Sequence, residues 1–172
     1  QKNKLSFWKI ADVVAPGIIL GQAIGRIGWD VFGRPMEIPR FWGVNYGGQI
    51  LHPVQVYEVI LNYIVFFILW RKREKIDYDG QLFLWYVILF AINRGIVEFF
   101  RLNPMVLGTL SISHVLTIFF IAVATVAIYL RKKQVTVTKV KTITSTKDFL
   151  KDVFIIIMAT IISIAIYYFA WI

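Results

Sequence analysis

Five apolar runs divide this chain, and each is long enough to cross a lipid bilayer. They lie at about 10–28, 53–70, 81–100, 110–130 and 153–172. Runs of roughly 17–22 residues match the ~20 helical residues that span a hydrocarbon core of about 30 Å. Lipid offers no partner to a backbone N–H or C=O, so each run has to satisfy its own polar groups by folding as a helix. Hydrophobic residues make up 58% of the 172 positions, above the roughly 45–50% of soluble domains. The fold class expected is therefore an all-α integral membrane protein, a polytopic bundle with about five transmembrane helices.

Charge sets the orientation. The formal net charge is +9, but Lys and Arg gather between the apolar runs. This favours a topological role over nucleic-acid binding, because basic loops stay on the cytoplasmic side. Lys2, Lys4 and Lys9 precede the first run, Arg71, Lys72, Arg73 and Lys75 follow the second, and Arg131, Lys132, Lys133, Lys139 and Lys141 follow the fourth. Segments 1–9, 71–79 and 131–152 are thus expected in the cytoplasm, and 29–52 and 101–109 outside. The chain has no Cys, which excludes a disulfide framework, a thiolate metal site and a covalent enzyme-cysteine intermediate. It opens on Gln1, and "QKNKLSFWK" is too polar for a signal peptide. An N-terminally incomplete chain is expected.

With that topology, the unusual ionisable residues all fall in the outer half. Arg26 ends the first run, His52, Gln55 and Glu58 open the second, and Arg94, Glu98 and Arg101 end the third. Gln55 and Glu58 are three apart, and Arg94, Glu98 and Arg101 stand at i, i+4 and i+7, so each set is expected on one helix face. Charges inside a membrane point into the bundle and mark function. Each residue taken alone also fits a plainer role: Arg94–Glu98 and Arg26–Glu58 as helix-tying ion pairs, Arg26 and Arg101 as snorkelling side chains, His52 as a helix-start residue before Pro53, and His114 as a packing residue. The set together describes an outward-facing polar pocket. Guanidinium groups match phosphate geometry, and Glu58 or His52 could move a proton. That combination points to a lipid-processing enzyme with a phosphate leaving group.

Four ordered motifs carry a family resemblance: "FWKIADVVAPGIILGQAIGRIG", "HPVQVYE", "NRGIVEFFR" and "LGTLSISHVLTI". Over about 5–130 the chain resembles the bacterial prolipoprotein diacylglyceryl transferases. The resemblance implies transfer of the diacylglyceryl group of phosphatidylglycerol to the lipobox cysteine thiol of a preprolipoprotein signal peptide, with release of glycerol-1-phosphate. It implies no metal and no cofactor, membrane lipid rather than nucleic acid as partner, and a multi-pass place in the bacterial plasma (inner) membrane with the active site facing the outer leaflet. It assigns Arg26 and Arg94 to the phosphate, Glu98 to orienting an Arg, Arg101 to a headgroup, and His52 and Glu58 to proton handling. Gln55 and Tyr57 join the substrate pocket, and Gly25 and Gly28 permit close backbone approach. Departures cluster after "GRIG": Trp29 stands at the family's Asn, the segment is about four residues shorter, and Asp30 is the candidate for the family's Glu. The Gln of the fourth motif is His114. The division implied is a transferase-like membrane domain at 1–130, a basic cytoplasmic linker at 131–152 and an additional helix at 153–172.

Two other readings compete. A non-catalytic relative would bind anionic lipid or signal peptides in the same pocket, and Trp29 with the short loop favours it. A transporter fragment needs polar residues through the whole membrane depth, and inner halves such as "IVFFILW" and "AVATVAIYL" carry none.

Overall fold

The computed structural model describes residues 6–28, 32–108, 110–132 and 146–171. Its helices are α1 (Phe7–Gly25), α2 (Val54–Lys72), α3 (Gln81–Glu98), α4 (Ile112–Lys132) and α5 (Thr146–Trp171). All five are long and apolar enough to cross a membrane. The polytopic all-α expectation holds.

α1, α2 and α3 pack on one another, α4 lies against α3, and α5 lies against α2. Ile19, Val65, Leu69 and Leu82 close the centre of the three-helix core. Ala23 lets α1 approach Val59 and Tyr63 of α2, with Ile156 and Ala159 of α5 behind them. Outward side chains such as Phe119, Phe120, Ile161 and Ile162 remain exposed, as lipid-facing surfaces should. Between apolar helices in lipid there is little hydrophobic driving force, so close packing and hydrogen bonds hold them together. Such bonds cross between helices: Gln22 Nε2 donates to the Tyr86 hydroxyl at 3.2 Å, Asn93 Nδ2 to Asn62 Oδ1 at 3.4 Å, and Tyr63 meets Ser163 at 3.0 Å.

The alternation of helix direction gathers the basic segments at one end. Lys9 lies 4.0 Å from Asp79, the Arg131 guanidinium sits over Trp8, and Arg71 pairs with Asp152 at 3.4 Å. The opposite end carries the acidic and basic residues singled out above.

Sequence reading missed two hairpins. β1 (Val44–Tyr46) pairs antiparallel with β2 (Gln49–Leu51), and β3 (Met105–Leu107) with β4 (Leu110–Ser111). Gly47 and Gly48, at φ +60° and +82°, make the two-residue turn of the first hairpin; successive positive φ angles match the right-handed twist of the strands. The first, third and last helices also begin or end a few residues away from the apolar runs. α5 starts at Thr146, because a helix continues through polar interface residues such as Asp148 and Lys151 where hydropathy has already fallen. Pro53 is the N-cap of α2 rather than a first-turn residue. The Thr/Val/Lys alternation, read as solvated linker, lies almost wholly outside the described residues.

Asp12 is the structural residue that hydropathy hid. Its carboxylate, buried in α1, accepts the backbone N–H of Gly80 at 2.6 Å and of Phe83 at 2.9 Å. These are orphan donors at the start of α3, whose own N-cap is a side-chain-free glycine. One helix thus caps another. Asp12→Ala should lower unfolding stability by about 1–2 kcal/mol, the cost of a lost cap, read as a reduced thermal midpoint in detergent. An unchanged midpoint would show that the cap carries no weight.

Candidate functional site

Glu58 stands one turn into α2 and is the point where three other segments converge. Its Oε2 lies 2.6 Å from Arg26 Nε, at the C-cap of α1. Its Oε1 accepts from Arg94 Nη1 of α3 at 3.1 Å and lies 3.7 Å from Arg101 Nη1. A second carboxylate sits behind. Glu98 faces Arg94 Nη2 at 3.5 Å and Arg101 Nε at 4.0 Å through Oε2, while its Oε1 accepts from Ser111 Oγ at 2.6 Å and Asn103 Nδ2 at 2.7 Å. The Glu98 side chain is 1% exposed, and buried carboxylates need such partners. Among the described residues, the cluster brings three guanidinium groups against two carboxylates.

The sequence placed Arg101 on the α3 face at i+7. The structure ends α3 at Glu98, and Arg101 follows in a turn closed by its N–H on the Glu98 carbonyl. The turn brings Arg101 to both carboxylates all the same. Gln55 departs more. It was expected to line the pocket beside Glu58, yet its Oε1 takes the Tyr167 hydroxyl of α5 at 3.5 Å. The three-residue spacing is wide enough on a helix for neighbours to select different partners. His114 sits 3.2 Å from Ser111 Oγ and against Phe99, a packing position.

Two cavities lie among these segments, one of them lined by cluster residues. The smaller, about 340 Å³, runs between α3 and α4. Arg26 and Arg94 stand at its head, and Tyr86, Phe90, Leu116 and Phe120 form apolar walls. Tyr86, Phe90 and Arg94 are successive i, i+4 positions, so one helix face supplies both the apolar wall and the charge. The larger, about 670 Å³, is lined by Arg34, Arg40, Trp42, His52, Tyr57 and Phe100 among others.

His52 is held on the larger cavity by its backbone. Its N–H donates to the Arg34 carbonyl at 3.1 Å and its carbonyl accepts from Gly33 at 2.9 Å. Gly33 has to be glycine, because a Cβ there would collide with the Phe100 carbonyl and Val54. Nδ1 lies 3.1 Å from the Tyr57 hydroxyl, which accepts from Trp42 Nε1 at 3.2 Å. Desolvation by burial, then the Arg34 charge, holds the imidazole pKa below its ordinary value, so the ring is neutral at pH 7. Arg34, Arg40, Trp42, Ser111 and Asn103 were missed from sequence. The two Arg flanking "PMEIP" were the available signal for the first pair; the others are set by loop folding.

A Cβ built at Gly25 or Gly28 would meet no atom of the described residues within 4 Å, so packing among those residues requires neither glycine. Trp29 and Asp30, the divergent positions, lie outside the described residues.

The profile of the prolipoprotein diacylglyceryl transferase family matches residues 1–130. The chain belongs to that family. Relatives named phosphatidylglycerol–prolipoprotein diacylglyceryl transferase agree. The one from Aliarcobacter butzleri is 44% identical over 115 residues, covering 64% of this chain and 42% of its own length. That from Campylobacter lari is 42% identical over 106 residues, 59% of this chain and 38% of the relative. That from Finegoldia magna is 32% identical over 142 residues, 78% of this chain and 56% of the relative. The chain spans about two fifths of the length of the first two. No solved structure matches. α5 lies beyond the residues the family profile covers.

Glu58→Ala removes the acceptor of three guanidinium groups and should destabilise the chain by roughly 3 kcal/mol, as breaking a buried ion pair does. Glu58→Ala combined with Arg94→Ala should cost less than the sum of the two single changes, measured by denaturation in mixed micelles. Additive losses would mean that the two side chains act independently.

Proposed function

We propose that the protein of which this chain is part transfers the diacylglyceryl group of phosphatidylglycerol to the lipobox cysteine of a prolipoprotein. One observation carries the reading: Arg26 and Arg94, paired with Glu58, cap an apolar slot between α3 and α4, and His52, six residues before Glu58, lines a second cavity. The names of the relatives supply the two substrates.

In this reading the lipid lays an acyl chain along Tyr86, Phe90, Leu116 and Phe120 and sets its phosphate on Arg26 and Arg94. The guanidinium forks match the phosphate, and Glu58 and Glu98 fix both of them before it arrives, so little reorganisation remains during reaction. The signal peptide enters the larger cavity. With its Nδ1 proton donated to Tyr57, His52 presents Nε2 as the base that takes the thiol proton. The sulfur bonds to the glyceryl carbon bearing the phosphate ester, the C–O bond breaks, and glycerol-1-phosphate leaves on the arginines. The proton passes from His52 to the departing phosphate or to water. Both Glu58 oxygens are engaged by guanidinium donors, which fits an anchor for the arginines and leaves the proton to His52. Arg101 steadies the two carboxylates and reaches toward the headgroup region. Tyr57 orients His52, and Gly25 and Gly28 leave room beside Arg26 for the lipid. The positive-inside pattern supports a site that opens to the outer leaflet of the bacterial plasma membrane.

Membranes carrying the complete gene product, given acyl-labelled phosphatidylglycerol and a lipobox peptide, should yield labelled thioether-linked peptide and free glycerol phosphate. Arg26→Ala or Arg94→Ala should reduce the rate at least about 100-fold, the scale of a lost transition-state donor, without loss of membrane insertion. Full rates in both variants would refute the phosphate assignment. No product from inserted wild-type protein, beside an active control enzyme, would favour a lipid-binding relative.

The lowered His52 pKa fixes a sign. The neutral base persists into mildly acidic solution, so kcat/KM should hold as pH falls to about 6.5, the ordinary histidine value, and decline only below it. The folded protein also binds fewer protons at His52 than the unfolded chain, so this contribution to stability is present above about pH 6.5 and is lost as pH drops. Arg34→Gln, which removes one cause of the lowering, should move the acid limb to higher pH. A limb already above pH 6.5 in the wild type would contradict the assignment of His52 as the base.

A further inference from the structure

α5 bonds at one point to a residue that lines the larger cavity. Two of its polar contacts hold it to α2: Ser163 meets Tyr63, and Tyr167 donates to Gln55. Tyr168 reaches further. Its hydroxyl donates to the backbone carbonyl of Trp42, in the excursion between Met36, bonded to Ile50, and Val44, paired with Leu51. Trp42 then spans to the site, because its indole N–H bonds the Tyr57 hydroxyl, which in turn bonds His52 Nδ1. A hydrogen-bonded path therefore runs from α5 to the imidazole through a single loop residue.

That residue needs outside support. Trp42 is 38% exposed and its neighbour Phe41 is 95% exposed, so little packing restrains the loop tip. Its carbonyl is fixed by Tyr168 and its indole by Tyr57, which together set both the position of the backbone and the rotamer. Beneath the path, Tyr167 packs with Val44 and Val56, and Phe32, Ile60, Ile164 and Tyr168 pack against that trio. The helix and the hairpin base thus share one apolar cluster.

We propose that Tyr168 of α5 is a positioning residue for His52, acting through Trp42 and Tyr57, so that α5 is part of the catalytic apparatus rather than a membrane anchor alone. The inference rests on the transferase reading for its kinetic consequence, but its geometric content stands apart from it. With the loop held, the Tyr57 hydroxyl keeps its place against Nδ1 and fixes one tautomer and ring orientation. With the loop released, the tautomer and ring orientation are no longer fixed, and the fraction of protein ready to accept the thiol proton falls.

The test compares Tyr168→Phe with Ser163→Ala in the complete protein. Each removes one hydroxyl from α5, but only the first lies on the path. Two readouts are taken: transfer kinetics, and the imidazole ¹⁵N resonances of His52, assigned by their loss in His52→Gln. Tyr168→Phe should lower kcat about tenfold, the scale of a modest misplacement of a reacting group, leave KM for phosphatidylglycerol unchanged, and move the His52 titration and tautomer shifts. Ser163→Ala should move neither. Imidazole shifts that respond to Tyr168→Phe in a protein without transferase activity would support the positioning and sink the function. Active enzyme whose kcat and imidazole shifts ignore Tyr168→Phe, or respond equally to Ser163→Ala, would overturn the positioning.

Discussion

The carboxylate of Glu58 is the interaction on which the architecture turns. α1 and α3 both deliver a guanidinium to it, the turn after α3 delivers another, and α2 supplies the carboxylate itself. A lone charge at such a depth would be costly, and several charges of one sign more so. Opposite charges gathered at one point make the burial tolerable, and their geometry fixes the relative positions of three helix ends. The same contacts hold two arginines ready at the head of an apolar slot. Stability and the proposed phosphate recognition thus share a device, and Glu98, with Ser111 and Asn103 on its other oxygen, extends it into the second hairpin.

The two ends of the bundle solve different problems. At the basic end, Asp12 caps α3 and Arg71, Lys72 and Arg131 lie over aromatic rings or beside Asp152. These contacts join helices at that end. At the other end the loops fold back: segment 33–36 bonds to 50–52 and to Phe100, and His52 is clamped between them. The helices supply Glu58, Arg94 and the slot walls, and short irregular segments that rest on them place His52 and Arg34.

Much of this was legible in the sequence because a bilayer imposes simple rules. Apolar length located five helices, basic loops assigned their direction, and the one-sided distribution of Arg26, Glu58, Arg94 and Glu98 anticipated their meeting. Ion pairs expected singly proved to be one network, since a carboxylate has two oxygens and more than one guanidinium can reach it. What the sequence hid is what depends on loop folding. Hydropathy cannot report three-residue strands, nor that Trp42 lies over Tyr57, nor that Arg34 faces His52. Gln55 went to α5 because Tyr167 offered a donor there, and nothing local to "HPVQVYE" encodes that partner. Asp12 read as one acidic residue in an apolar run, because its role depends on Gly80 and Phe83, far along the chain.

The central claim is that Arg26 and Arg94 form a site for an anionic phosphate. Lipid binding tests it without requiring turnover. Purified complete protein in phosphatidylcholine nanodiscs would be titrated with phosphatidylglycerol, with retained lipid counted by native mass spectrometry, for the wild type and for Arg26→Ala/Arg94→Ala. The account predicts preferential retention of phosphatidylglycerol by the wild type and loss of that preference in the double variant. Equal preference in both proteins would contradict it.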